Sequence, residues 1–138
     1  MTDALRGQRV LVVEDEVIVA WNLEDMLVEL GCVVVGPASR IGVALTMIDT
    51  QAIDMALLDV NLDGRPSYPL ADALAARGVP FAFSTGYDKP GLADEYRTIP
   101  VLQKPFRRSE LGEVLGELMA SRDCKVTLLR DDAEEALS

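Results

Sequence analysis

Along the chain, short unbroken apolar runs alternate with longer stretches in which apolar residues recur at helical spacing. Residues Arg9 to Val13 read RVLVV, apolar and β-branched without polar alternation, which predicts a strand buried on both faces. From Val17 to Leu30, apolar residues at Val19, Leu23, Met26, Leu27 and Leu30 share one helical face, and Gly31 supplies a terminator. The unit then repeats. Cys32 to Val35 is predicted as strand, Ser39 as the N-cap of a helix carrying Ile41, Ala44, Leu45 and Ile48, and Asp54 to Leu58 as the third strand. A third helix is expected over Tyr68 to Arg77, stopped by Gly78, and a fourth strand over Val79 to Phe83. A weakly patterned helix over Asp88 to Tyr96, interrupted by Pro90 and Gly91, leads to a short strand over Pro100 to Leu102. Ser109 is expected to cap the last helix, whose face is Leu111, Val114, Leu115, Leu118 and Met119.

Five strands alternating with five helices predict an α/β fold, a doubly wound five-stranded parallel sheet with both faces covered. In such sheets ligands bind at the carboxyl ends of the strands. The 138 residues fit one domain, expected over 1–121. After Ala120 the pattern fails, and 122–138, with its Val126 to Leu129 run and acidic DDAEE stretch, is expected as an appendage with no separate output domain.

A net charge of −10 changes the range of partners, because it repels phosphate backbones and anionic lipid. The only basic cluster is Lys104, Arg107 and Arg108, so nucleic acid and membrane are not expected as partners. No apolar run approaches the roughly 20 residues of a membrane span, and Met1 to Arg9 lacks a signal peptide's apolar segment, so the expected location is cytoplasmic. Cys32 and Cys124 are too few for a disulfide framework and form no CxxC pair; Cys32 is read as core. With no histidine in the chain, His-based zinc sites, Ser/His or Cys/His nucleophiles and a phosphohistidine donor role are excluded. Trp21 is read as a partly buried structural residue.

The candidate chemistry lies at the predicted strand ends. Acids Glu14, Asp15 and Glu16 follow the first strand, Asp59 the third, Ser84-Thr85 the fourth and Lys104-Pro105 the fifth. A parallel sheet brings these positions into one crevice although they are far apart in sequence. Crowded carboxylates repel one another, and a hard oxygen-seeking cation, Mg²⁺ or Mn²⁺, relieves that repulsion. Asp15 and Asp59 are the expected direct ligands, with Glu14 acting through a metal-bound water and Asn61 supplying its backbone carbonyl. Asp59 is placed as a nucleophile toward a phosphoryl group, Lys104 to stabilise charge on the transferring oxygens, and Thr85 to offer them a hydroxyl. The stretch Asp59-Val60-Asn61-Leu62-Asp63-Gly64 also fits the opening of an EF-hand loop, but the twelfth position is Leu70 and a strand precedes it.

The ordered set Glu14-Asp15, Asp59, Thr85 and Lys104-Pro105 resembles the receiver domain of two-component response regulators, over roughly Gln8 to Ala120. Pro80 to Tyr87, reading PFAFSTGY, resembles the FATGUY group of single-domain receivers, with Ser84 for the motif's Ala and Tyr87 directly after Gly86. The resemblance implies a flavodoxin-like (βα)5 fold. It further implies Mg²⁺-dependent phosphotransfer to Asp59 from a sensor histidine kinase or histidine phosphotransfer protein, with an unknown protein downstream. The chain would then be a stand-alone phosphoacceptor, signalling by protein contact or phosphoryl competition, and no enzyme beyond its own phosphorylation and dephosphorylation. The switch region would be Thr85, Gly86, Tyr87 and Val101. Many receivers carry an aromatic residue three positions before the lysine, where this chain has Val101. Gly86 replaces a common Ala, and Glu14 a common Asp. The alternative is a metal-dependent phosphatase or phosphotransferase with an aspartyl-phosphate intermediate, disfavoured by the absence of a cap insertion and of a D-x-D-x-T pattern.

Overall fold

The computed structural model describes residues 5–62, 64–86, 96 and 98–121. Its elements run β1 (Arg9–Val13), α1 (Val17–Glu29), β2 (Val33–Ala38), α2 (Ile41–Thr50), β3 (Met55–Asp59), β4 (Asn61–Leu62), β5 (Arg65–Pro66), α3 (Tyr68–Ala76), β6 (Phe81–Thr85) and β7 (Val101–Gln103), followed by a helix over 108–121. Five strands form one sheet in the order β2-β1-β3-β6-β7, all parallel, while β4 and β5 make a small antiparallel hairpin outside it. This is the flavodoxin-like doubly wound order. The chain moves outward from β1 to β2 and then crosses back to β3, so winding reverses between β1 and β3 and opens a crevice at their carboxyl ends.

Strand alternation divides the core into two layers. Val10, Val12, Leu57, Ala82 and Leu102 pack against Leu23 and Leu27 of α1 and against Leu111, Leu115 and Leu118 of the helix over 108–121. On the other side Leu11, Val13, Leu58, Phe81 and Phe83 meet Ala44 and Ile48 of α2 and Leu70 and Leu74 of α3. The unbroken apolar runs of β1 and β3 are thus explained by a sheet covered on both faces.

Several local expectations are corrected. Trp21 is 62% exposed, because Ala20, Leu23 and Leu27 occupy the inward stripe of α1. Leu45, one residue beyond the buried Ala44, likewise turns outward. The N-cap of α2 is Arg40, with no side-chain bond, in place of Ser39. Ser109 lies inside the first turn of its helix; the Arg107 N–H there donates to the Glu110 carboxylate at 3.0 Å. Strand β2 runs on through Pro37, which an edge strand accommodates because one side of its backbone needs no partner. Strand β6 extends two residues past Phe83, since pairing of Ser84 with Leu102 and Thr85 with Gln103 carries it to the sheet's end. Gly31 ends α1 at φ 89°, and Cys32 is buried as expected. The expected helix over Asp88 to Tyr96, apart from Tyr96, and also Tyr87 and the 122–138 appendage, lie outside the described residues.

Candidate functional site

The crevice between the ends of β1 and β3 receives the residues that the sequence singled out. Glu14 and Asp15 follow β1, Asp59 closes β3, Thr85 closes β6 and Lys104 follows β7. Backbone bonds fix these ends relative to one another: Val60 N–H donates to the Ser84 carbonyl at 3.0 Å, Lys104 N–H to that of Thr85 at 2.7 Å, and Glu14 N–H to that of Ala38 at 2.9 Å. Carboxylate oxygens of Glu14, Asp15 and Asp59 lie within 4.8 Å of one another. The Lys104 ammonium bridges two of them, donating to Glu14 and, at 3.1 Å, to the Asp59 Oδ2. The other Asp59 oxygen accepts from the Asn61 N–H at 3.2 Å, which fixes the plane of the carboxylate.

The electrostatics are uneven. Glu14 is 2% exposed, and burial, reinforced by the neighbouring Asp59 against the bond from Lys104, raises its carboxyl to about 7. Lys104 is opposed by burial but held above its usual range by Glu14 and Asp59. An acid raised in the folded state adds stability that is present below its ordinary value of 4.5 and lost as pH rises through about 7. The Lys104 contribution is constant across that window, because it disappears only in the alkaline range. Without metal, the protein's stability relative to a Glu14→Gln variant is therefore expected to fall between about pH 4.5 and 7 and to level off above that. Paired urea titrations at several pH values measure this; a constant difference would place the proton elsewhere.

A cleft of about 570 Å³ opens over the carboxylates, bounded by Asp15, Glu16, Asn22 and Met26 on the α1 side and by Lys104, Pro105 and Phe106 opposite, with Asn61, Thr85 and Gly86 at its floor and rim. The strand before Asp59 and the hairpin after it, containing Gly64 at φ 82°, are the opposite of an EF-hand's flanking helices. Two features escaped the sequence reading. Phe106 walls the cleft, and its place two residues after Lys104 is the one sequence signal for it. Behind β6, Tyr96 is buried, stacks on Tyr68 at 4.6 Å, stands edge-on to Phe83 and donates its hydroxyl to Asp72. Val101 pairs in register with Phe83 and packs against the core layer that holds Phe83 and Tyr96. Periodicity could not reveal this stack, because Tyr68 and Tyr96 are 28 residues apart and meet only in the folded chain.

Comparison with known proteins agrees with this geometry. The response regulator receiver domain model matches residues 10–116. Among curated proteins the chain is similar to the transcriptional regulatory protein PdtaR of Mycobacterium tuberculosis, at 29% identity over 134 residues. That match covers 94% of this chain and 65% of PdtaR, so the chain spans just under two thirds of the relative's length. Among solved structures it is similar to SdrG from Sphingomonas melonis Fr1, at 40% identity and TM-score 0.75, covering 86% of this chain and 99% of SdrG. The receiver domain of the sensor histidine kinase PA1611 from Pseudomonas aeruginosa PAO1 matches at 27% identity and TM-score 0.70, covering 83% of this chain and 98% of that domain. That structure has a magnesium ion coordinated in its active-site cleft.

Proposed function

The chain belongs to the response regulator receiver domain family, and from that premise we propose that Asp59 is its phosphoryl acceptor. Receiver domains are phosphorylated by histidine kinases or phosphotransfer proteins. The observation that carries the assignment is the placement of Asp59: it ends β3 at the reversal of winding, beside two further carboxylates and in contact with the Lys104 ammonium.

An Asp59 carboxylate oxygen attacks phosphorus, the bond from phosphorus to the donor histidine's nitrogen breaks with its electron pair leaving on the imidazole, and an acyl phosphate results. Lys104, already bonded to Asp59, holds a phosphoryl oxygen as charge spreads over that group. Thr85, buried at the adjoining strand end, turns its hydroxyl to the phosphoryl group and with Gly86, Tyr87 and Val101 forms the switch region. The oxygen-only donor set fits Mg²⁺ or Mn²⁺, with Asp15 and Asp59 as direct ligands, Glu14 through water and Asn61 through its carbonyl. Such an ion, when bound, neutralises charge on the phosphoryl oxygens.

In this reading the chain is a signalling phosphoacceptor, charged by a sensor histidine kinase or histidine phosphotransfer protein in the cytoplasm, and its output is a protein contact. No helix among the described residues is long and apolar enough to cross a membrane. The PFAFSTGY stretch supports a place in the FATGUY group. The test is exposure to phosphoramidate with Mg²⁺, followed by borohydride reduction and peptide mapping. One phosphoryl group on Asp59, abolished by chelator, is expected. Labelling of another residue, or labelling indifferent to chelator, would overturn the assignment.

A further inference from the structure

Helix α1 is apolar on two sides. Its inward stripe is in the core, yet Val17, Ile18, Trp21 and Val28 are 59%, 70%, 62% and 62% exposed. Four of the seven large hydrophobics exposed among the described residues therefore lie on this one helix. At 3.6 residues per turn, Val17, Trp21 and Val28 fall within about 40° of one another, with Ile18 next to them. An apolar stripe this concentrated marks a contact surface, whereas single exposed hydrophobics do not.

Charge says what covers it. The same geometry sets Glu24 and Asp25 on opposite flanks of the stripe. No lysine or arginine occurs from Val10 to Ser39, a stretch that carries six acids. Arg108 reaches α1 from outside and pairs with Glu29, one turn beyond Asp25. A second copy seated face to face would set two acid-bearing helices without a lysine or arginine against each other, which like-charge repulsion opposes. We infer that the outward face of α1, with Trp21 at its centre between Glu24 and Asp25, docks a basic amphipathic helix of another protein. Aliphatic residues on one face of that helix meet Val17, Trp21 and Val28, and flanking lysines or arginines meet the two acids. The face is separate from the phosphoryl cleft, which α1 lines through Val19, Asn22 and Met26 on another side, so a docked helix leaves Asp59 open.

Trp21 is the only tryptophan in the chain, and its emission reads this surface directly. The full chain is titrated with a synthetic peptide carrying leucines on one helical face and lysines on both flanks. The comparison peptides are a scrambled sequence of the same composition and a version with glutamates for lysines. A saturable blue shift is expected, with affinity at least about tenfold above either comparison peptide. Glu24→Lys with Asp25→Lys is expected to reduce it about tenfold, with the far-ultraviolet circular dichroism unchanged. Equal shifts with the scrambled peptide would reduce the effect to net charge and overturn the inference. So would the absence of any shift, or a blue shift on concentrating the protein alone with dimer seen by sedimentation, which would make the occupant a second copy.

Discussion

Asp59→Asn is expected to lower labelling by a phosphorylated histidine kinase in Mg²⁺ by about a thousandfold or more, the scale seen when a nucleophile is removed from a prepared site. The amide has no anionic oxygen to attack phosphorus. Glu14 cannot replace it, since its side chain is almost fully buried and tied to Lys104. The same change relieves the crowding of three carboxylates within 4.8 Å, so the metal-free variant is expected to melt no lower than the native chain. Loss of labelling with retained or raised stability is the signature of a residue kept for chemistry at the expense of the fold. Labelling that survives the substitution would require another acceptor. A melting temperature several degrees lower would mean that Asp59 is structural.

Lys104→Met is expected to destabilise the metal-free protein at about pH 8 by about 3 kcal/mol, the cost of leaving a buried ion without its partner. Lys104 is the cation that the structure sets against both Glu14 and Asp59, and the Glu14 side chain is 1% exposed. The loss should shrink below about pH 6, where Glu14, already raised to about 7, takes up a proton and no longer needs a cation. Urea titrations of both proteins at the two pH values decide it. An equal loss at both would assign the effect to packing of the lysine's hydrocarbon stem.

The order of elements and the identity of the site were legible because they depend on strong local signals. Short apolar, β-branched runs such as RVLVV fit strands covered on both faces, and acids placed at their ends fall at the sheet's carboxyl edge. What was not legible depends on the third dimension. The reach of β6 to Thr85 is decided by pairing with β7, a partner sixteen or more residues away. The orientation of Trp21 depends on which stripe of a nearly all-apolar helix wins the core, and smaller residues, Ala20 among them, fit closer to the sheet. Helix starts misled because Ser39 and Ser109 are good caps by residue type, while backbone position gave the N-cap of α2 to Arg40 and put Ser109 inside the last helix, where the Glu110 carboxylate accepts from the Arg107 N–H. The aromatic stack of Tyr68 and Tyr96 joins residues whose sequence neighbourhoods carry no common pattern.

The bridge from Lys104 to Glu14 spans 90 residues and that to Asp59 spans 45. Closing such distant pairs is a late event for a parallel sheet, because the ends must be brought together before the contact rewards it. Until β7 docks beside β6, the carboxylates at the β1 and β3 ends lack the ammonium that the folded structure sets against them. With Asp59 as the proposed acceptor, competence to receive a signal then depends on the last strand being in place, and a partly assembled chain is expected to take up a phosphoryl group more slowly than the folded one.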